Sequence, residues 1–329
     1  MSDPQQPDEA APIYYARQGF FAARRQNWIR FRQSYLFYSF KRDPIAITCF
    51  SVFIFLVVIS FAAPIIAPYN PYDTTTIDIM DSELPPAWME AGNPNFWLGT
   101  DIQGRDLYST MLYGLRTSVI IGIFAVIFQA VLGIVVGLIS GYLGGRIDAF
   151  LMRVTDIQFS IPYLIMAIIT SAIFKIAFGV NRFEELAIPL LVIIIGMSEW
   201  PKYARTVRAS VLGEKSKEYV EAARVIGLSN RLIMFRHILP NTLTPVLVIS
   251  TIQVAQAVMS EAALSFLGLG MPITKPSLGS LINLGFEYVF SGSWWITLFP
   301  GLLLVLFVLV VLLLGDWLRD VLNPKLYKG

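Results

Sequence analysis

The sequence predicts an all-α membrane protein with six transmembrane helices, an amphipathic interfacial helix near the N-terminus and a short exposed helix in one inner loop. Three observations carry this. Of 329 residues, 55% are hydrophobic and 15% charged, against about 25% charged in an ordinary soluble domain. The apolar residues come in blocks. Ile45–Ala67, Ser118–Leu143 and Thr297–Leu314 meet or approach the roughly 20 residues that cross a hydrocarbon core of about 30 Å as a helix. Basic residues, finally, gather in alternate segments, as the positive-inside rule requires of a multi-pass chain.

Residues 1–12, with three prolines and several acids, have the composition of a disordered tail. In 13–43, Tyr14, Phe20, Phe21, Trp28, Phe31, Tyr35 and Phe37 are interleaved with seven Arg/Lys, which fits a helix on an anionic membrane surface and equally describes a solvated basic leader. The first span is 44–67, an outer loop follows over 69–112, and the core 114–317 holds the remaining five spans, near 114–143, 153–178, 186–204, 241–268 and 296–317. The fourth is the weakest, since Leu186–Trp200 gives only 15 residues before Pro201. Residues 318–329 form an inner tail. No cleavable leader is expected, because the first apolar run starts after 43 residues.

Charge orients the chain. The leader has seven basic residues and segment 201–237 has eight, whereas 69–112 has only Arg105 against seven acids, and 269–295 has only Lys275. Six spans with both termini and the 201–237 loop in the cytoplasm satisfy every count. A net charge of +2 indicates no nucleic-acid partner. The single cysteine, Cys49, and single histidine, His237, leave no disulfide framework and no transition-metal cluster.

The 201–237 loop is the informative segment. Within Ser216–Ile226, Tyr219, Ala222, Ala223 and Ile226 fall on one helical face, with Lys217, Glu221 and Arg224 opposite. Gly227 follows where a left-handed cap is wanted, Ser229 or Asn230 can cap a second helix, and Pro240 opens the fifth span. A helix with two alanines on its apolar face buries little of itself. A groove on a partner protein would receive it, and so would a lipid surface, with Glu221 paired to Lys217.

Glu221-Ala222-Ala223, Gly227 and Leu239-Pro240 resemble the EAA loop of ABC importer permeases, here within 205–240. His237 in Arg236-His237-Ile238-Leu239-Pro240-Asn241 is similar to the dipeptide/oligopeptide/nickel subfamily, as are Leu98-Gly99-Thr100-Asp101, Gly104-Arg105-Asp106, Tyr203-Ala204-Arg205 with Val207-Arg208, and Glu261-Ala262-Ala263-Leu264-Ser265-Phe266-Leu267-Gly268-Leu269-Gly270. The last run also spells EAA, but position 267, six after Glu261, is Leu where the docking pattern has Gly. It also lies in an apolar span.

The resemblance implies the type I importer permease fold in a bacterial inner membrane. It implies a coupling helix in which Tyr219, Glu221, Ala222, Ala223 and Gly227 dock on an ATPase. It further implies as partners a second homologous permease, two cytoplasmic ATPase subunits and a periplasmic or lipid-anchored solute-binding protein. The chain has no Gly-x4-Gly-Lys-Ser/Thr phosphate loop, so ATP and Mg are expected on the partner ATPases, no cofactor on this chain, and no enzyme activity of its own. Short peptides are the commonest solute of such systems; nickel complexes or another small solute are the alternative.

In the fifth span Gln253, Gln256 and Ser260 share a face, and Glu261 follows. Such polar groups either join helices or line a wet pathway, and Glu261 is either a gate or an interfacial residue. Asp156 has Arg153 as an available partner, and Asp101, Arg105 and Asp106 suit a hydrogen-bonded turn better than an ion site. An ion-coupled secondary transporter is the rival from another class. It would need ionisable residues within the spans, and the sequence is read as having no central ones.

Overall fold

The computed structural model describes residues 35–73, 75 and 77–322. The expected tail 1–12, most of the interfacial segment 13–43 and most of the tail 318–329 lie outside the described residues. Within 35–47, helix α1 (Tyr35–Arg42) stacks Lys41 over the Phe37 ring at 5.0 Å and Arg42 over Tyr38 at 4.9 Å. Asp43 then starts α2 (Pro44–Phe61) by accepting from the amides of Ile45 and Ala46 at 2.9 and 3.1 Å, the usual device for the orphan amides of a first turn.

Among the described residues the main helices that follow are α3 (Leu107–Leu143), α4 (Gly145–Ser160), α5 (Tyr163–Glu185), α6 (Ala187–Lys215), α7 (Glu218–Val225), α8 (Leu239–Phe266), α9 (Leu278–Phe286) and α10 (Trp295–Val321). Five helices are long and apolar enough to cross a membrane: α2, α3, α5, α10, and α8 extended back to Asn230. The segment expected as the fourth span is helical, as α6 with 29 residues, but it is not among these five. Its composition is diluted by Glu199, Lys202 and Arg205, so it differs in kind from the other five.

Two other boundaries moved. The third span starts at Tyr163, because Pro162 disfavours helix at the residue before it, and Ile161 is extended (φ −88°, ψ 120°). What precedes is the separate amphipathic helix α4. The fifth runs on from Asn230 through a widened turn at Ile233–Ile238, which leads into Pro240, a residue without an amide proton to donate.

The centre of the fold is the contact of α3 with α6. Gly133, Gly137 and Gly141 line one face of α3 at four-residue intervals. A Cβ added to them would sit 2.3 Å from Tyr203 Cβ, 2.5 Å from the Ala204 carbonyl oxygen and 2.9 Å from Val211 Cβ. Small residues in this pattern let two membrane helices approach backbone to backbone. Around the seam, Ile121, Leu191, Ile194, Tyr203, Val207 and Val211 form one core, and it continues without a break to Val220 and Ala223 of α7. A second core joins Leu56 of α2 to Leu115, Val119, Val258 and Phe307.

The outer loop is ordered by its own polar groups. Asp101 accepts from the amides of Gln103 and Arg105 and from Arg105 Nε at 2.6 Å. The Arg105 guanidinium reaches the Ile273 carbonyl at 3.0 Å, and Asp106 caps α3 through the Ser109 amide at 2.8 Å. The turn expected from these residues is therefore what they form. Helix α9, which sequence analysis did not anticipate, is closed by a reciprocal cap between Ser277 and Ser280.

The seam gives a direct test. Gly137→Leu forces side chain into the α6 backbone and is expected to cost about 1–3 kcal/mol, the usual penalty of overpacking, or to prevent folding. Gly301→Leu, where an added Cβ meets nothing within 4 Å, should leave the unfolding temperature in detergent unchanged. Equal behaviour of the two variants would refute the role given to the seam.

Candidate functional site

Helix α7 is held from both sides. Val220 is fully buried and Ala223 nearly so. The Tyr219 hydroxyl donates to Glu214 Oε2 at 2.7 Å, at the end of α6, and accepts from Asn241 Nδ2 at 3.1 Å, at the start of α8. Burial pushes the Glu214 carboxyl up, but hydrogen bonds from Lys217 and Tyr219 outweigh it and hold the group below its ordinary range. Lys217 is thus committed to Glu214 at 2.6 Å, and the pairing with Glu221 considered from sequence is not made. The Glu221 carboxylate has no hydrogen bond or ion pair among the described residues.

The helix is rotated from the expected face. The inward set is Val220 and Ala223, with Tyr219 at its edge. Ala222 and Ile226, expected to share that face, point outward with Glu221 and Arg224, because the larger Val220 fills the core space better than a second alanine. The outward set includes Val225, 88% exposed, and Ile226, 76% exposed. Val225 was missed from sequence; a branched apolar residue off the predicted stripe was the available signal. Gly227 has φ +85°, and its amide donates to the Arg224 carbonyl at 3.0 Å while Leu228 donates to Ala223 at 3.1 Å. Ser229 then accepts from the Leu232 amide. Of the five named docking residues, the structure turns Glu221, Ala222 and Gly227 outward, and Tyr219 and Ala223 inward.

A polar framework ties this end together. Tyr142, near the end of α3, donates to Asn230 Oδ1 at 2.8 Å, and its carbonyl accepts from Lys215 Nζ at 2.5 Å. Asp148 of α4 binds Arg208 of α6 through both carboxylate oxygens, at 2.6 and 2.7 Å, and accepts from the Ser140 hydroxyl. Asp156 pairs with Arg205 at 2.8 Å, not with Arg153 as expected, since α4 presents it to α6.

Deeper along the helices, the polar stripe of α8 divides. Gln253, Ser260 and Glu261 are buried, while Gln256 is exposed. Glu261 accepts from the Ser118 hydroxyl of α3 at 2.7 Å and from Ser265 at 2.6 Å. Ser118 in turn accepts from the Leu278 amide at the start of α9 at 3.4 Å. Glu261 therefore stands buried at a junction of three helices. Gln253 Nε2 reaches Gln129 Oε1 at 3.3 Å and Glu199 Oε2 at 3.4 Å, and Glu199 is paired with Lys202. This pair stands in the segment read as the fourth span, toward its Pro201 end, and the reading of the spans passed over it. Its proximity to Pro201 at the margin of the weakest span hid it.

Against this geometry, a family model described as a binding-protein-dependent transport system inner membrane component matches residues 133–328. The chain belongs to this family. A second model, the N-terminal TM domain of oligopeptide transport permease C, matches residues 24–86. The dipeptide transport system permease protein DppC of Haemophilus influenzae is 36% identical over 294 residues, 89% of this chain and 95% of that one. The protein of the same name from Escherichia coli is 39% identical, with 87% and 91% covered. The di/tripeptide transport system permease protein DppC of Pseudomonas aeruginosa is 35% identical, with 83% and 86% covered. Among solved structures, an inward-facing MetNI methionine ABC transporter chain matches with TM-score 0.52 at 20% identity, covering 64% of this chain and 96% of that one, which shows a shared fold.

As a component of a binding-protein-dependent system, the chain is a multi-pass inner-membrane transport subunit and not itself an enzyme. Permeases of this family work with ATPase partners and a second permease. The part of the site that can be tested without partners is the Asp148–Arg208 bridge. Hydrogen bonding from Arg208 holds the Asp148 carboxyl below its ordinary 3.8, with burial opposing. A depressed carboxylate contributes stability that is complete above the unfolded value and is lost as pH falls through the lower folded one. Asp148→Asn should lower the unfolding temperature at pH 7, by an amount equivalent to about 1–3 kcal/mol. It should also flatten the fall in stability between pH 5 and 3, read by thermal unfolding in detergent; identical acid limbs would exclude the bridge as its source.

Proposed function

We propose that this chain is the permease subunit of an ATP-driven importer of short peptides, forming half of the translocation pathway, with α7 as its coupling helix. The observation that carries the proposal is the outward face of α7, where the unpaired carboxylate of Glu221 adjoins exposed Ala222, Val225 and Ile226. An apolar patch bordered by charged groups suits a cleft on a protein partner. In this reading, which the charge counts support, α7 and both termini are cytoplasmic, where ATP and Mg would be held by two ATPase subunits. In this reading Glu221 offers its carboxylate to a basic group of the ATPase, Ala222 allows close approach, and Gly227 sets the turn. Tyr219 and Ala223 hold the helix on the permease. The substrate class rests on the dipeptide relatives, and delivery on a solute-binding protein.

Because α7 is fixed to α6 through Glu214 and to α8 through Asn241, ATP-driven displacement of its outward face would be carried into both helices. Glu221→Lys reverses the docking charge and should weaken ATPase association by about tenfold or more, the worth of one hydrogen bond to a charged group. Gly227→Asp strains the left-handed turn and should lose ATP-dependent dipeptide uptake in vesicles. Val220→Ala, by contrast, tests seating within the permease and should act on stability. Full ATPase co-purification and uptake with both Glu221→Lys and Gly227→Asp would overturn the docking assignment.

A further inference from the structure

Helix α4 has an apolar side that none of the described residues covers. Ile147, Phe150, Val154 and Ile157 recur at i, i+3, i+7 and i+10 and are all exposed, Phe150 by 67% and Ile157 by 59%. The opposite side is fixed to α6, where Asp148 takes Arg208 and Asp156 takes Arg205, and Thr155 is fully buried. Both acids of α4 are thereby engaged. Its two other charges, Arg146 and Arg153, are exposed and have no hydrogen bond or ion pair among the described residues. They stand seven residues apart, about 10 Å along the axis, on one edge of the apolar stripe. Only Gly144 separates α4 from α3, and only Ile161 and Pro162 separate it from α5. Both neighbours are long and apolar enough to cross a membrane. Helix α4 thus links the end of one span to the start of the next, at the end where Tyr142 meets Lys215 and Asn230, the residues that flank α7. Four charges in its sixteen residues are too many for hydrocarbon, and its apolar stripe is costly in water. The boundary between the two suits both faces.

We infer that α4 is an interfacial helix that binds anionic phospholipid, its stripe set among acyl chains and Arg146 and Arg153 each holding a headgroup phosphate. Charge decides for lipid over a protein partner. With Asp148 and Asp156 engaged by α6, the uncompensated groups are two guanidiniums of one sign beside a regular apolar stripe, the pattern that suits an anionic leaflet. A guanidinium meets a phosphate through paired N–H donors, so each arginine can hold its own headgroup. The lipid would act on the rest of the molecule through bonds already described. Helix α4 is tied to α6 by two ion pairs, and α6 holds α7 through Glu214 and Tyr219. Anionic lipid is thus a ligand that anchors α6 beside the docking helix, whatever solute the permease carries.

The test uses the full complex with its partner subunits in phosphatidylcholine nanodiscs that contain a small fraction of photoreactive phosphatidylglycerol. Cross-links mapped by mass spectrometry should fall on residues 147–157. Arg146→Gln and Arg153→Gln should each lower their yield about fivefold, the worth of one basic residue at an anionic surface. Both variants should unfold at the wild-type temperature, and photoreactive phosphatidylcholine should be captured equally by all three proteins. Unlabelled phosphatidylglycerol should compete and sodium phosphate should not, which separates a lipid from a free anion. Spin labels at Phe150→Cys and Val154→Cys give a second readout, with cysteine-free partner subunits and with Cys49, the single cysteine of this chain, replaced by Ala. Oxygen should relax them more than a water-soluble nickel chelate does. Labels shielded from both reagents would mean that a protein covers α4, and labels more open to the chelate would mean water; either result overturns the inference. Cross-linking that misses α4, or that neither arginine variant changes, overturns it as well.

Discussion

Three glycines of α3 let the backbone of α6 approach to within contact of their Cα atoms, and most of what the molecule does mechanically depends on that approach. In a bilayer the hydrophobic effect does not drive one helix against another, so close van der Waals packing has to do so. Gly133, Gly137 and Gly141 supply it over two turns of helix against Tyr203, Ala204 and Val211. The same seam seats the apolar side of α7, since Val220 and Ala223 enter the core that Tyr203, Val207 and Val211 begin. Close packing of this kind has few intermediate arrangements, so a push on α7 is transmitted as a displacement and not absorbed as local repacking.

Polar groups reinforce the seam at more than one level. Asp148 and Arg208 bind α4 to α6, and Ser140 brings α3 to the same carboxylate. Glu261 takes hydroxyl hydrogens from α3 and from its own helix and leaves Ser118 to receive the first amide of α9. Buried polar networks are favourable when each member is satisfied and costly otherwise. Their members therefore restrict how α3, α4, α6, α8 and α9 can be rearranged, and leave movement to surfaces without such bonds.

Much of this was legible in the chain. Long apolar runs announce spans whatever their packing partners, and Gly227 and Ser229 announce themselves because a left-handed turn and a helix cap have few competent residues. The orientation of α7 was not legible. Tyr219, Ala222, Ala223 and Ile226 make a valid stripe, but which arc of a short helix is buried depends on the shape of the receiving core, and Val220 fits it. The break at Pro162 was available from the residue that precedes it. Helix α9 was not available in the same way, because nine residues between two loops carry too little periodicity to separate from their surroundings. Glu199 and Lys202 were passed over for a related reason: beside Pro201 they read as the end of a span, whereas α6 continues to Lys215.

That continuation also joins the two polar regions. Glu199 and Glu214 lie on one uninterrupted helix, fifteen residues and about 22 Å apart. The first touches Gln253 of α8, and the second holds Tyr219, which holds Asn241 at the start of the same α8. Helices α6 and α8 are thus linked by side-chain bonds at two levels, one beside α7 and one in the polar seam. A displacement of α7 that shifts α6 against α8 must alter the spacing of Glu199 and Gln253, so the geometry of the charged seam is coupled to the position of the docking helix by bonds already present in the chain.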